Sequence, residues 1–179
     1  MDRHVDGNGL VQLVTFHLGR ERYGVEVVRV REIVRMQSIT AVPRSPKHVL
    51  GVTNLRGSLV SVMDLRMRLG LERIPYGPKT RILIVEAGVQ PVGLVVDSVA
   101  DVMRLPREAM GETSGLLSGS EARCVRSVAE IGDGSLLLEL DLDDLLGGEQ
   151  DEGQVSCVAE TSDTASSIGQ SGGAGRRAA

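Results

Sequence analysis

Between residues 11 and 146, short apolar runs alternate with clusters of turn-forming residues, at a spacing that suits strands better than helices. Residues 11–18 and 23–25 flank Gly19-Arg20-Glu21-Arg22 and read as a strand pair. The arrangement recurs twice, as 81–87 with 91–96 around Gly88-Val89-Gln90, and as 124–131 with 135–140 around Gly132-Asp133-Gly134. Helical signals are few. Residues 28–34 carry apolar side chains at 30, 33 and 34, with Arg29, Arg31 and Glu32 left for other faces, which predicts a short one-sided helix. Asp64 and Asp141 each precede a Leu-rich turn. A carboxylate there suits an N-cap, because it accepts from unpaired backbone N–H groups and meets the positive end of the helix dipole. The pattern predicts a mainly β chain with three or four short helices.

The pattern also repeats. Leu13-Val14-Thr15-Phe16, Gly19 and Gly24-Val25 align without gaps on Ile82-Leu83-Ile84-Val85, Gly88 and Gly93-Leu94. The same offset of 69 carries Val27, Val30, Glu32, Ile33 and Arg35 onto Val96, Val99, Asp101, Val102 and Arg104. Further on, Gly57-Ser58-Leu59-Val60, Asp64-Leu65 and Leu69-Gly70 recur as Gly134-Ser135-Leu136-Leu137, Asp141-Leu142 and Leu146-Gly147, at an offset of 77. Two copies of one small β unit, each closed by a capped helix, predict a duplicated small-barrel fold. Composition agrees, because Phe16, Tyr23 and Tyr76 are the chain's whole aromatic content, and small barrels filled by Val, Leu and Ile need no more.

After Leu146 the sequence turns to Gly, Ser, Ala, Thr and Asp, so residues 147–179 are expected to be a disordered tail and 1–10 an unstructured start, leaving 11–146 as the folded part. A net charge of −4 offers no field for a phosphate backbone, and three scattered rings make no base-stacking platform, so nucleic acid is excluded as a partner. The start has no apolar signal region and no run approaches the roughly 18 apolar residues of a membrane span, which leads to an expectation of a cytoplasmic protein without membrane insertion. Cys124 and Cys157 form neither a disulfide framework nor a metal spacing, and His4, His17 and His48 have no ligand neighbours at metal-site intervals. Gly57-Ser58 lacks the flanks of a nucleophile elbow, and no phosphate-binding glycine motif is present. Asp141, Asp143 and Asp144 read as a helix cap and a solvated face rather than a cation loop. No metal, cofactor or catalytic centre is expected, and a small hydrolase is the distant alternative.

In a duplicated scaffold, function sits where the copies differ. The turn Asn54-Leu55-Arg56-Gly57 corresponds to Ile131-Gly132-Asp133-Gly134, so a cation at one tip faces a carboxylate at the other. On that difference alone, Arg56 serves either a solvated turn or a partner. Gly51-Val52-Thr53-Asn54-Leu55-Arg56-Gly57, with Val60, Val62 and Asp64-Leu65-Arg66, resembles the signature stretch of CheW chemotaxis coupling proteins. Val92-Gly93-Leu94-Val95-Val96-Asp97-Ser98-Val99-Ala100-Asp101-Val102 resembles that family's second characteristic segment, and Tyr23-Gly24-Val25-Glu26 with Val30-Arg31-Glu32-Ile33 its first strand and helix.

The resemblance covers about residues 11–146 and implies two interlocked five-stranded SH3-like barrels without a catalytic site. It further implies two partners, the regulatory domain of a CheA-type histidine kinase, bound end to end, and the helical hairpin tip of a methyl-accepting chemoreceptor. On this mapping the receptor groove includes Val30, Val99 and Val102, with Arg56 and Asn54 at its rim, and Glu32 contacts the kinase or the receptor. Array association through protein contacts follows from the same likeness. An accessory adaptor of a surface-motility or developmental chemosensory pathway is the alternative within the class.

Overall fold

Ile82 and Ile84 face one way from their strand, Leu83 and Val85 face the other, and all four are fully buried, so this strand is covered on both sides. That double burial explains why its sequence reads as a continuous apolar run rather than an alternation. The computed structural model describes residues 7, 9–88, 90–111, 123–132 and 134–147. Among these residues ten strands run β1 Leu10–Leu18, β2 Glu21–Glu26, β3 Val30–Arg35, β4 Val49–Leu55, β5 Ser58–Asp64, β6 Arg81–Ala87, β7 Gln90–Val96, β8 Ser98–Pro106, β9 Val125–Glu130 and β10 Leu136–Leu140. Helix α1 spans Leu65–Leu69 and α2 spans Leu142–Gly147. Most of the expected unstructured start and tail, with Cys157, lies outside the described residues.

The strands form two five-stranded sheets, in the orders β8-β1-β2-β10-β9 and β3-β6-β7-β5-β4. Under the sequence repeat β1 to β5 correspond to β6 to β10, and the two orders then become the same order. Each copy places its first two strands in one sheet and its last three in the other, so the units interlock rather than sitting side by side. In each sheet a parallel pair joins the two copies, β2 with β10 and β5 with β7. The remaining edges close through short bridges, Thr40 with Val52 and Gly111 with Val128. Gly51 lies beside the first bridge at φ 140°, and a Cβ there would overlap the carbonyl oxygen of Thr40. The duplicated, mainly β, SH3-like arrangement expected from the sequence is the one observed.

Three apolar clusters follow from this architecture. Val60, Val62, Ile82, Ile84 and Val95 fill one barrel, and Val11, Leu13, Met110, Ala129, Ile131 and Leu137 fill the other. The largest cluster draws on both sheets and on α1 and α2, with Phe16, Tyr23, Met63, Leu65, Leu83, Leu94, Leu140 and Leu145 among its members. The shared core is therefore where the interlocked barrels meet.

Both predicted caps are present. Asp64 Oδ1 accepts from the Arg66 N–H at 3.1 Å, and Asp141 Oδ1 accepts from the N–H groups of Asp143 and Asp144 at 2.9 and 3.3 Å. Arg66, nearly buried, forks onto Asp97 through Nε and Nη2, and Asp97 Oδ2 also accepts from the Gly19 N–H at 2.6 Å. This joins α1 to the β1–β2 turn and to the β7–β8 junction. Burial alone would raise the Asp97 carboxyl, but the Arg66 guanidinium and the Gly19 N–H outweigh it and hold it below the usual carboxylate range. At the related place in the other half the polarity is reversed, with Arg29 donating to Asp143 at 2.8 Å. Arg68 completes the link by donating to the Leu145 carbonyl in the last turn of α2 at 2.7 Å.

One expected element is corrected. Residues 28–34 are not a helix: Val27–Arg29 form a single 3-10 turn and the chain continues as strand β3, laddered against β6. The stiff β-branched side chains of Val30, Ile33 and Val34 favour the extended form, and β3 alternates half-buried with exposed positions.

Candidate partner-binding site

The β4–β5 connection has two residues between the paired Leu55 and Ser58. Its central pair has positive φ at both positions, 52° at Arg56 and 90° at Gly57, which is the type I′ geometry whose twist matches paired strands. Asparagine or aspartate followed by glycine suits this turn, whereas arginine enters the left-handed region at a steric cost. Asn54 supports the tip from outside, its Oδ1 accepting from the Gly57 N–H at 2.8 Å.

Arg56 then reaches β3. Its Nη2 lies 3.0 Å from Glu32 Oε2, although the arginine side chain remains 81% exposed while the glutamate is only 22% exposed. The two border an open cleft of about 360 Å³ whose wall includes Arg31, Ser58, Val60 and Ile84. Ladder pairing explains how Glu32 comes to face it: a register shift between Val30 and Glu32 leaves Arg31 as the extra residue, so Glu32 sits opposite Ile84 and Val30 opposite Val85. Ile84 belongs to the barrel interior and Val85 to the shared core. The bulge therefore sends Val30 and Glu32 to different sides of the sheet.

The sequence-derived residues thus fall into two groups. Arg56, Asn54 and Glu32 gather at one tip, and none of the three valines lines its cleft. Val30 and Val99 occupy equivalent places on β3 and β8, each packed partly against the shared core, with Val99 opposite Phe16. Val102, opposite Val14, is 53% exposed and matches Ile33, also exposed, on β3. Glu32 stands on a strand, not on the helix expected for it.

Some residues escaped sequence reasoning. Leu59 and Leu136, near the start of corresponding strands, are both largely exposed, and the offset of 77 already linked them. The sequence pattern places Arg31 only on an outer helix face, because a bulge leaves no mark in it. Conversely Arg66 and Asp97, inside the two resembling segments, hold the fold together rather than lining the cleft. Among the described residues no cluster of His, Cys, Asp and Glu is arranged to hold a metal, and no helix is long and apolar enough to cross a membrane.

Comparison with known proteins agrees with this architecture. The family model of the CheW-like domain matches residues 12–150. The chain is 30% identical over 139 residues to the chemotaxis protein CheW of Klebsiella aerogenes, covering 78% of this chain and 83% of that one. It is 34% identical over 143 residues to a probable chemotaxis protein CheW of Rhizobium etli, covering 79% and 90%. Protein FrzA of Myxococcus xanthus matches at 35% over 91 residues, covering 51% and 57%. Among solved structures, the scaffolding protein TtCheW of Thermoanaerobacter tengcongensis superposes with a TM-score of 0.70 at 30% identity, over 75% of this chain and 91% of that one.

Proposed function

Since the chain belongs to the CheW-like family of chemotaxis adaptors, we propose that it is a non-catalytic scaffold coupling methyl-accepting chemoreceptors to a CheA-type histidine kinase, working in the cytoplasm at receptor arrays. The observation that carries this reading is the strained backbone at Arg56. At the matching sequence position the second copy has Asp133, so the repeat itself does not call for arginine there. A residue that the backbone disfavours is retained where its side chain does something else. At 81% exposure it reaches solvent, and a guanidinium there can donate two parallel hydrogen bonds to a carboxylate or amide on a receptor helix.

In this reading Arg56 and Asn54 make the polar part of the receptor contact at the β4–β5 tip, and Val30, Val99 and Val102, which lie outside that cleft, supply a separate apolar surface for a helix to lie against. Glu32 orients Arg56 until the partner arrives and contacts receptor or kinase. The kinase contact is apolar and uses strand ends, for which exposed Leu59 and Leu136 are the candidates. The partial match to FrzA favours one second reading, an accessory adaptor of another chemosensory pathway, with the same contacts made to different receptors. Capture from the native cells, using the full chain as bait, tests both. Recovery of a histidine kinase together with a methyl-accepting receptor supports the proposal, and recovery of neither contradicts it.

A further inference from the structure

Ser58 is the first residue of β5, exposed, and it shares the cleft with Arg31 and Arg56. The duplication provides an internal comparison. Serine recurs at the equivalent Ser135, but the positions matching Arg31 and Arg56 are Ala100 and Asp133. The first serine thus shares a cleft with two arginines, and the sequence has no arginine at either matching position around the second. Arg31 has no hydrogen-bond or ion-pair partner among the described residues, and Arg56 is engaged by a single carboxylate, Glu32. Two cations against one anion leave the cleft able to take further negative charge.

We propose that Ser58 is a phosphoacceptor, and that the phosphorylated side chain closes the receptor-coupling site. The second half of this inference rests on the reading of Arg56 as a receptor contact. A serine/threonine kinase would transfer the γ-phosphoryl group of a nucleoside triphosphate. The Ser58 Oγ–P bond forms, the β,γ-bridging P–O bond breaks, the hydroxyl proton passes to the kinase's base and the nucleoside diphosphate leaves. A phosphoserine carries about −1.5 to −2 charges at neutral pH and three acceptor oxygens, so it outcompetes the singly charged Glu32 for Arg56 and also occupies Arg31. Arginine held in this way no longer offers its fork to a receptor carboxylate.

Three measurements on the full chain test the proposal. Phosphopeptide mapping of the chain recovered from its own cells is expected to find phosphate at Ser58 and none at Ser135, and no phosphate at Ser58 under any growth condition overturns it. With phosphoserine installed at position 58 or 135, phosphorus NMR titration should give the second phosphate pKa at least about half a unit lower at 58 than at 135. That gap should vanish when Arg31→Ala and Arg56→Asn are combined, and equal values at the two sites overturn the anion cleft. Binding to a receptor hairpin fragment should weaken at least tenfold with phosphoserine at 58 and less than twofold with it at 135, the melting curve being retained in both. If Arg56→Asn weakens receptor binding but phosphoserine at 58 does not, the switch is overturned. If neither does while the NMR gap persists, the failure lies in the reading of Arg56 and the switch falls with it, whereas the phosphate site stands.

Discussion

Replacing Arg56 by asparagine separates what this side chain does for a partner from what it does for the fold. The residue has φ 52°, and an L side chain in the left-handed region costs roughly 1–2 kcal/mol, a strain that asparagine tolerates and that Asn-Gly suits in a type I′ turn. Against that gain stands the ion pair with Glu32, which at such exposure contributes at most about 1 kcal/mol. The two nearly cancel, so folding stability should change by less than about 1 kcal/mol. Removing a hydrogen-bonded cation from a desolvated interface costs roughly 2 to 5 kcal/mol. At tenfold per about 1.4 kcal/mol, receptor binding should weaken more than tenfold. Arg56→Glu should abolish receptor coupling as well, but it sets a second carboxylate beside Glu32 and mixes a folding penalty into the result. Titrations of Arg56→Asn against a receptor hairpin fragment and a kinase regulatory domain, run beside urea melts, make the measurement. Equal weakening toward both partners, or a stability loss above about 2 kcal/mol, would refute the reasoning and make Arg56 a structural residue.

Other expectations follow from the same geometry. Asp97→Ala leaves the Arg66 guanidinium, 8% exposed, without its carboxylate and should destabilise the fold by about 3 kcal/mol in urea melts, whereas Arg29→Ala, which breaks the more exposed pair with Asp143, should cost about 1 kcal/mol or less. Asp97, Asp141 and Asp143 all have carboxyls held below the unfolded value of 3.8, so their stabilisation is complete above that pH and is lost as pH falls through their folded values. Melting temperature should therefore be steady from neutrality to about pH 5 and drop below about pH 4, with a shallower acid limb in Asp97→Asn. Kinase binding through apolar strand ends should change less than tenfold as salt rises from low to molar concentration, because screening acts on exposed charges and not on buried apolar area.

The strand pairs and both helix caps were legible because turn glycines and the N-cap aspartates leave local marks. The stretch beginning at Val28 misled for a definite reason. An extra residue at the β3 bulge shifts the alternation, so apolar side chains at 30, 33 and 34 acquire a helix-like spacing inside a strand. Its counterpart on β8 has the same spacing at Val99, Val102 and Met103, with a register shift in the facing ladder. The repeat disclosed two equivalent units but not that they exchange strands, since offsets say which segments are alike and not which ones pair. Interlocking came instead from the family likeness. At the site, the contrast between Arg56 and Asp133 marked the tip, yet the pairing of Arg56 with Glu32 depends on how β3 and the β4–β5 turn close on one barrel. No spacing along the chain encodes that approach.

The central claim, that this chain couples receptors to a kinase, is tested most directly by reconstitution. Receptor-bearing membranes and the histidine kinase are combined with and without the purified chain, and kinase autophosphorylation is followed before and after addition of the receptor's ligand. The account predicts that the kinase comes under ligand control only when the chain is present, and that Arg56→Asn loses this control while still binding the kinase. Ligand control that is the same with and without the chain would contradict it.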